Sequence, residues 1–197
     1  MLAEHFFYGL LWVGFGASHS YLAGERLIRP FGVSSRLLYN AISLVSIVGI
    51  FAIGRHIFAS DIGSFTLHPV IEITKLIGLV AGIAVAVLGL ATYDAGSFIG
   101  FSQLRGSTKS DPSLADEPLH ISGIHRYVRH PLYAGAMLAL WANISDQFTL
   151  STAIWATIYI VIGTKFEERR LIRTYGDEYV AYRNRVPAFL PFKRQAN

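Results

Sequence analysis

The stretch LYAGAMLALWANISDQFTLSTAIWATIYIVIGTKFEERRLIRTY, Leu132 to Tyr175, decides the fold. Leu132 to Ile144 is apolar, Ser145, Asp146 and Gln147 make a short polar turn, and Phe148 to Gly163 is apolar again. Two apolar runs joined so closely predict a tight helical hairpin. The first run is short for a full crossing, which takes about 20 apolar residues. The second continues from Lys165 to Tyr175 without Gly or Pro until Gly176, a C-terminal stop. That predicts one helix of roughly 26 residues, about 39 Å long at 1.5 Å per residue, which projects out of the lipid.

Outward from the hairpin, Phe6 to Leu22, Leu37 to Phe58 and Val70 to Tyr93 each have the length and apolar character of a spanning helix. The composition agrees, with 52% hydrophobic and only 15% charged residues. An ordinary soluble domain carries about a quarter charged residues. The expectation is an all-α polytopic membrane protein of about five transmembrane helices, forming a single membrane domain. Residues 1–93 hold three spans, 94–131 a cytoplasmic loop, and 132–197 the hairpin and a tail that caps it. Gly78, Gly82, Ala86 and Gly89 line one face of the third span and are read as packing residues.

Of the 17 Lys and Arg, only Arg55 and Lys75 lie on one side of this topology, with the rest after the first, third and fifth spans. That imbalance places the N-terminus outside and the C-terminus in the cytoplasm. The same distribution explains the pI of about 9.4 by a membrane face rather than by nucleic acid, so no nucleic-acid partner is expected. Before the first span only Glu4 and His5 are polar, so no cleaved signal peptide is expected. Cysteine is absent, which removes disulfides, thiolate metal sites and a cysteine nucleophile. Oligomeric state is not legible.

The chemistry-bearing residues cluster at the cytoplasmic ends. Pro131 suits a first helical position, so Arg129 and His130 stand at the start of the fourth helix. There, free backbone donors and a positive dipole end favour a carboxylate or other anion. Glu167 and Glu168 follow the apolar part of the fifth helix. Glu167 shares an apolar face with Leu171 and reads as functional, whereas Glu168 reads equally as a salt-bridge partner of Lys165. His120, His125 and His130 recur every five residues, about 140° apart on a helix, and Gly123 interrupts them, so no metal site is expected. His19 lies toward the cytoplasmic end of the first span, where an ionisable side chain is a functional candidate.

The run SGIHRYVRHPLYAG, followed by FEERRLIRTYGDEYVAYRNRVPAFLPF, resembles the membrane methyltransferases of the isoprenylcysteine carboxyl methyltransferase and phospholipid methyltransferase superfamily. The shared pattern is RHPxYxG, a paired Glu, and a GxEYxxYxxRVPxxLP tail. The resemblance implies an S-adenosylmethionine cofactor enclosed by the C-terminal hairpin and capped by the tail. Its implied contacts are Leu119, His120, Gly123 and His125 in the loop, His130, Pro131 and Tyr133 at the helix start, and Glu167. His125 stands where many members have Tyr. Gly163 stands where isoprenylcysteine enzymes place an arginine suited to a substrate carboxylate. GASHSYLAGERLIRP and RLLYNAIS in the first half resemble the NnrU-type and methanethiol methyltransferase branches.

The functional expectation is therefore a membrane-embedded, S-adenosylmethionine-dependent methyltransferase with its site on the cytoplasmic side. It would act on a small or lipophilic nucleophile, a thiol rather than a prenylated carboxylate, with Arg129 and His19 on the acceptor side. Two other readings share the pattern: an NADPH-dependent membrane reductase of sterol-reductase type, and a non-enzymatic NnrU-like accessory protein. In sterol reductases Asn precedes the motif tyrosine, whereas here Leu132 precedes Tyr133.

Overall fold

In the computed structural model, which describes residues 2–23, 35–59, 65, 68–92 and 119–192, every regular element is a helix. They are α1 (Leu2–Ala23), α2 (Ser35–Ile57), α3 (Pro69–Leu90), a 3-10 turn (Gly123–Arg126), α4 (Pro131–Ala142), α5 (Gln147–Tyr175) and α6 (Asp177–Arg185). The expected mobile stretch up to Pro118, the end of the third span at Tyr93, and Arg26, Arg29, Arg105, Lys109, Lys193 and Arg194 lie outside the described residues.

The chain is an all-α membrane protein. Among the described residues α2, α3 and α5 are long and apolar enough to cross a bilayer. Their outward faces are apolar, as Leu44, Val45, Val48, Ile73, Ile77 and Val80 on α2 and α3 show. A soluble monomer rarely exposes so much contiguous apolar surface, and lipid is the solvent that covers it at no cost. α1 has the length of a span, but Glu4, His5, Ser18, His19 and Ser20 dilute its apolar character. α4 is a short apolar helix of 12 residues.

The chain divides into two compact units. The first contains α1, α2 and the part of α5 up to Tyr159. Its core is aromatic: Tyr8, Trp12, Phe15, Phe58 and Phe148 are buried and meet mostly edge to face. The Tyr8 hydroxyl is satisfied by Thr152 Oγ1 at 3.0 Å. Asp146 caps the start of α5, its Oδ1 accepting from the Thr149 amide at 2.7 Å while the Thr149 hydroxyl accepts from the Asp146 amide at 2.9 Å.

The second unit contains α3, α4, the 3-10 turn, the rest of α5 and α6. Residues 143–146 join α4 to α5 by the short connection expected of a hairpin, but α4 takes α3 as its principal helical partner. The small-residue stripe is the reason. A Cβ on Gly82 would come within 2.8 Å of the Gly135 carbonyl oxygen, and one on Gly135 would overlap the Ala86 amide. Backbone therefore lies against backbone, the contact that small residues permit in lipid. At the far end of α5, Gly176 has φ +56°, a conformation that ends the helix and turns the chain into α6. The tail motif is thus a real element, a nine-residue helix that the periodicity alone did not disclose. Its spacing puts Tyr179 and Tyr182 on one buried face.

Candidate functional site

The second unit gathers most of the sequence-predicted residues around the segment before α4. Pro131 occupies the first turn of α4 as expected, and His130 is the N-cap residue with no side-chain cap bond, so the helix start carries no side-chain acceptor of its own. The 3-10 turn then sets Val128, Arg129 and His130 against the tail. The Arg129 amide donates to the Pro187 carbonyl at 2.9 Å and the His130 amide to the Ala188 carbonyl at 3.0 Å. The Tyr182 hydroxyl donates to the His125 carbonyl at 2.6 Å. Each of the two conserved-looking sequence runs thus satisfies the other's backbone.

Arg129 completes the clasp. Its guanidinium donates from Nε and Nη2 to Glu168 Oε1 and from Nη1 to the Arg183 and Val186 carbonyls. The side chain is 9% exposed and that of Glu168 14%, so this pair is largely dry. His130 is buried beside it, with Nε2 at 3.1 Å from the same Glu168 oxygen. An ionised carboxylate only accepts, so Nε2 carries the proton and donates. Nδ1 then faces Glu167 Oε2 at 3.9 Å, too long for a hydrogen bond, and Glu167 is 39% exposed. The His130 ring stacks on Tyr133 with centroids 5.7 Å apart and meets Phe189 from the tail at 6.0 Å.

His125 is buried, its Nδ1 3.2 Å from the Arg129 carbonyl, which requires Nδ1 to donate. In the neutral ring Nε2 then accepts from the Thr92 hydroxyl at 3.1 Å. Burial holds the His125 pKa below the ordinary imidazole value. Burial, and then the Glu168 charge, push the Tyr179 hydroxyl up.

Two buried hydroxyls in this unit lack a partner in hydrogen-bonding geometry: Tyr179, 1% exposed, and Thr164, 5% exposed and one helical turn before Glu167 and Glu168. Orphaned buried hydroxyls are uncommon and mark places where a ligand completes the bonding. An amino-acid-like group with a carboxylate and an ammonium fits this donor and acceptor set. Glu167 is a half-open carboxylate for the ammonium. The helix start and the two hydroxyls are donors for the carboxylate.

The unit therefore brings together His125, Arg129, His130, Pro131, Tyr133 and Glu167. Leu119 is half-buried, while His120 and Gly123 are exposed. His19 belongs to the first unit. Sequence reasoning understated Glu168, which the tertiary structure pairs with Arg129 and His130 rather than with Lys165. It also missed Thr164 and Tyr179, although Tyr179 was visible as the first tyrosine of the tail motif.

No protein-family profile matches the chain, and no solved structure matches it. Among curated proteins it is 42% identical over 72 residues to methanethiol S-methyltransferase 1 of Bradyrhizobium diazoefficiens, 36% of this chain and 25% of that protein. With the methanethiol S-methyltransferase of Mycobacterium tuberculosis it shares 41% identity over 70 residues, 35% of this chain and 29% of the relative. The protein-S-isoprenylcysteine O-methyltransferase of Mus musculus is 33% identical over 143 residues, 65% of this chain and 47% of the relative. The matches thus span between a quarter and a half of these relatives' lengths. Two branches with different named substrates converge on one chain whose paired-Glu and RHPLYAG elements meet in space, and the chain belongs to the isoprenylcysteine carboxyl methyltransferase-like superfamily of membrane methyltransferases.

Proposed function

We propose that the protein is a membrane-embedded, S-adenosylmethionine-dependent methyltransferase acting on a small or lipophilic nucleophile, with a thiol preferred to a prenylated carboxylate. One observation carries the reading: Glu167, half-open and 3.9 Å from the buried His130, borders a helix start with no side-chain cap and two orphaned hydroxyls. When bound, S-adenosylmethionine supplies an electrophilic methyl group on a sulfonium. The chain's own residues bind and exclude water. Glu167 accepts the ammonium, the α4 start and His130 draw the carboxylate, and Tyr133 and Phe189 shield the imidazole face. Glu168 keeps the His130 Nε2 proton in place, and Arg129 holds the tail over the site through its carbonyl contacts. A water-excluding pocket protects a reactive methyl donor from hydrolysis, and the rest of the rate comes from alignment.

The thiol preference rests on the names of the methanethiol relatives and on Gly163, which offers no guanidinium for a substrate carboxylate. The residues Leu119, His120, Gly123, His125 and Pro131 belong to the same cofactor proposal, some through backbone, and Arg129 acts on the acceptor side only through the tail it positions. The Lys and Arg imbalance supports an external N-terminus with the tail and site cytoplasmic.

Calorimetric titration of the purified protein with S-adenosylmethionine and its demethylated product tests the cofactor. Saturable binding is expected, with Glu167→Ala and His130→Ala losing it at least tenfold while their helical content is retained. Binding of reduced nicotinamide cofactor in place of S-adenosylmethionine would reverse the assignment. Labelled-methyl transfer to a panel of thiols then separates an enzyme from a ligand-holding accessory protein.

A further inference from the structure

The first unit holds a second polar cluster. His19 on α1 lies between two tyrosines: Tyr39 Oη on α2 is 2.6 Å from Nε2, and Tyr159 Oη on α5 is 3.2 Å from Nδ1. All three side chains are half-buried, so they are neither lost in the core nor bathed in solvent. Phe15 packs against both His19 and Tyr159, with centroids 5.4 and 5.1 Å away, and Trp12 lies 6.1 Å from Tyr159.

A neutral imidazole has one donor and one acceptor nitrogen, while two tyrosines add two hydroxyl protons. Two hydrogen bonds to the ring use two of these three protons. One hydroxyl proton is therefore left over, in an apolar setting where an unused donor is costly. The Trp12 indole N–H, 95% buried by its residue exposure of 5%, also lacks a partner in hydrogen-bonding geometry, as does Ser43 Oγ one turn beyond Tyr39. Spare donors around one imidazole, walled by aromatic rings, describe a receptor for a small molecule with an apolar body and one lone-pair-rich, weakly acidic atom.

We propose that His19, Tyr39 and Tyr159 form a binding site for a small apolar thiol, in which Tyr159 relays the thiol proton to His19. Nε2–H donates to Tyr39, and Nδ1 accepts from Tyr159. The thiol S–H bond breaks as its proton passes to Tyr159 Oη, the Tyr159 proton forms a new N–H bond at Nδ1, and the electron pair stays on sulfur. The products are a thiolate and an imidazolium, with Tyr159 neutral again. Tyr39 and Tyr159 are the titratable groups that face His19, from α2 and α5. In water a cysteine-like thiol and an imidazole differ by about two pKa units, a gap that ion pairing and a donated hydrogen bond can close. The choice of thiol as the weak acid rests on the proposed function.

The test needs no methyl donor. Ethanethiol is titrated into the purified full chain in lipid nanodiscs at pH 7.5, and the ultraviolet thiolate band is read. Wild type is expected to show bound thiolate, with His19→Gln and Tyr159→Phe each lowering the band at least tenfold. Tyr159→Phe keeps the ring packed on Phe15, which guards against misfolding. Ethyl methyl sulfide, lacking the proton, is expected to compete at least tenfold more weakly than the thiol. No thiolate in wild type, an unchanged band in both variants, or equal competition by the sulfide overturns the proposal. S-adenosylmethionine binding in the same samples keeps the two questions apart. If it persists, only this site falls; if wild type lacks it, the methyltransferase reading falls on its own.

Discussion

Glu168 shows how a residue's neighbours in space decide its role. Its helical neighbours offer a weak surface pair, yet it accepts from the buried Arg129 and His130 instead. Removing one member of such a cluster strands the others in a dry site, at a cost of about 3–5 kcal/mol. Glu168→Ala is therefore expected to destabilise the protein by about that amount in denaturant unfolding. Glu168→Leu combined with Arg129→Met should recover much of it, since both charges leave together. If the single variant unfolds at the wild-type midpoint, the cluster holds nothing. Glu167, His130 and the RHP element were legible from sequence because local rules apply to them. Proline marks a helix start, and a carboxylate beside an apolar run needs a partner. Glu168, Thr164 and Tyr179 were not, because their partners lie on other elements.

At the scale of elements, the packing of α3 on α4 depends on the absence of side chains at the contact. Gly135→Leu would drive a side chain into the α3 backbone at Ala86, and it is expected to abolish folded, monodisperse protein in size-exclusion chromatography. Gly176 has a different constraint. Its φ of +56° with ψ of −132° is a conformation that other residues reach only with strain. Gly176→Ala should cost about 1–3 kcal/mol and loosen α6. Proteolysis within Arg183–Arg185 that does not speed up in this variant would contradict that account. The glycine stripe and the Gly176 stop were both readable in the sequence. α6 itself was not, because its nine residues are mostly polar and only Tyr179 and Tyr182 face inward.

For the whole molecule, two outcomes follow from charge. His125 is buried with its pKa held down, so the unfolded tail takes up a proton before the docked one does. Docking is at full strength above about pH 6.5, the unperturbed imidazole value, and weakens as pH falls below it towards the lowered one. Hydrogen exchange at the Arg129 and His130 amides, corrected for intrinsic rates, should accelerate between pH 7.5 and 5.5, and His125→Gln should remove the dependence. Topology is checked with single cysteines in this cysteine-free chain. A thiol at Asn184 should react from the cytoplasmic side and one at His68 from the outside; the reverse would overturn the orientation. Hydropathy, charge bias, proline and glycine positions, and the motif order were sufficient to determine an all-α membrane protein of this superfamily, because each acts through local chain geometry or through the solvent that surrounds a helix. Which side chains meet was decided only by tertiary structure. The Arg129–Glu168–His130 clasp, the tail carbonyls that Arg129 binds, and the two tyrosines on His19 all join residues from 20 to 140 positions apart, and no local rule relates residues so distant.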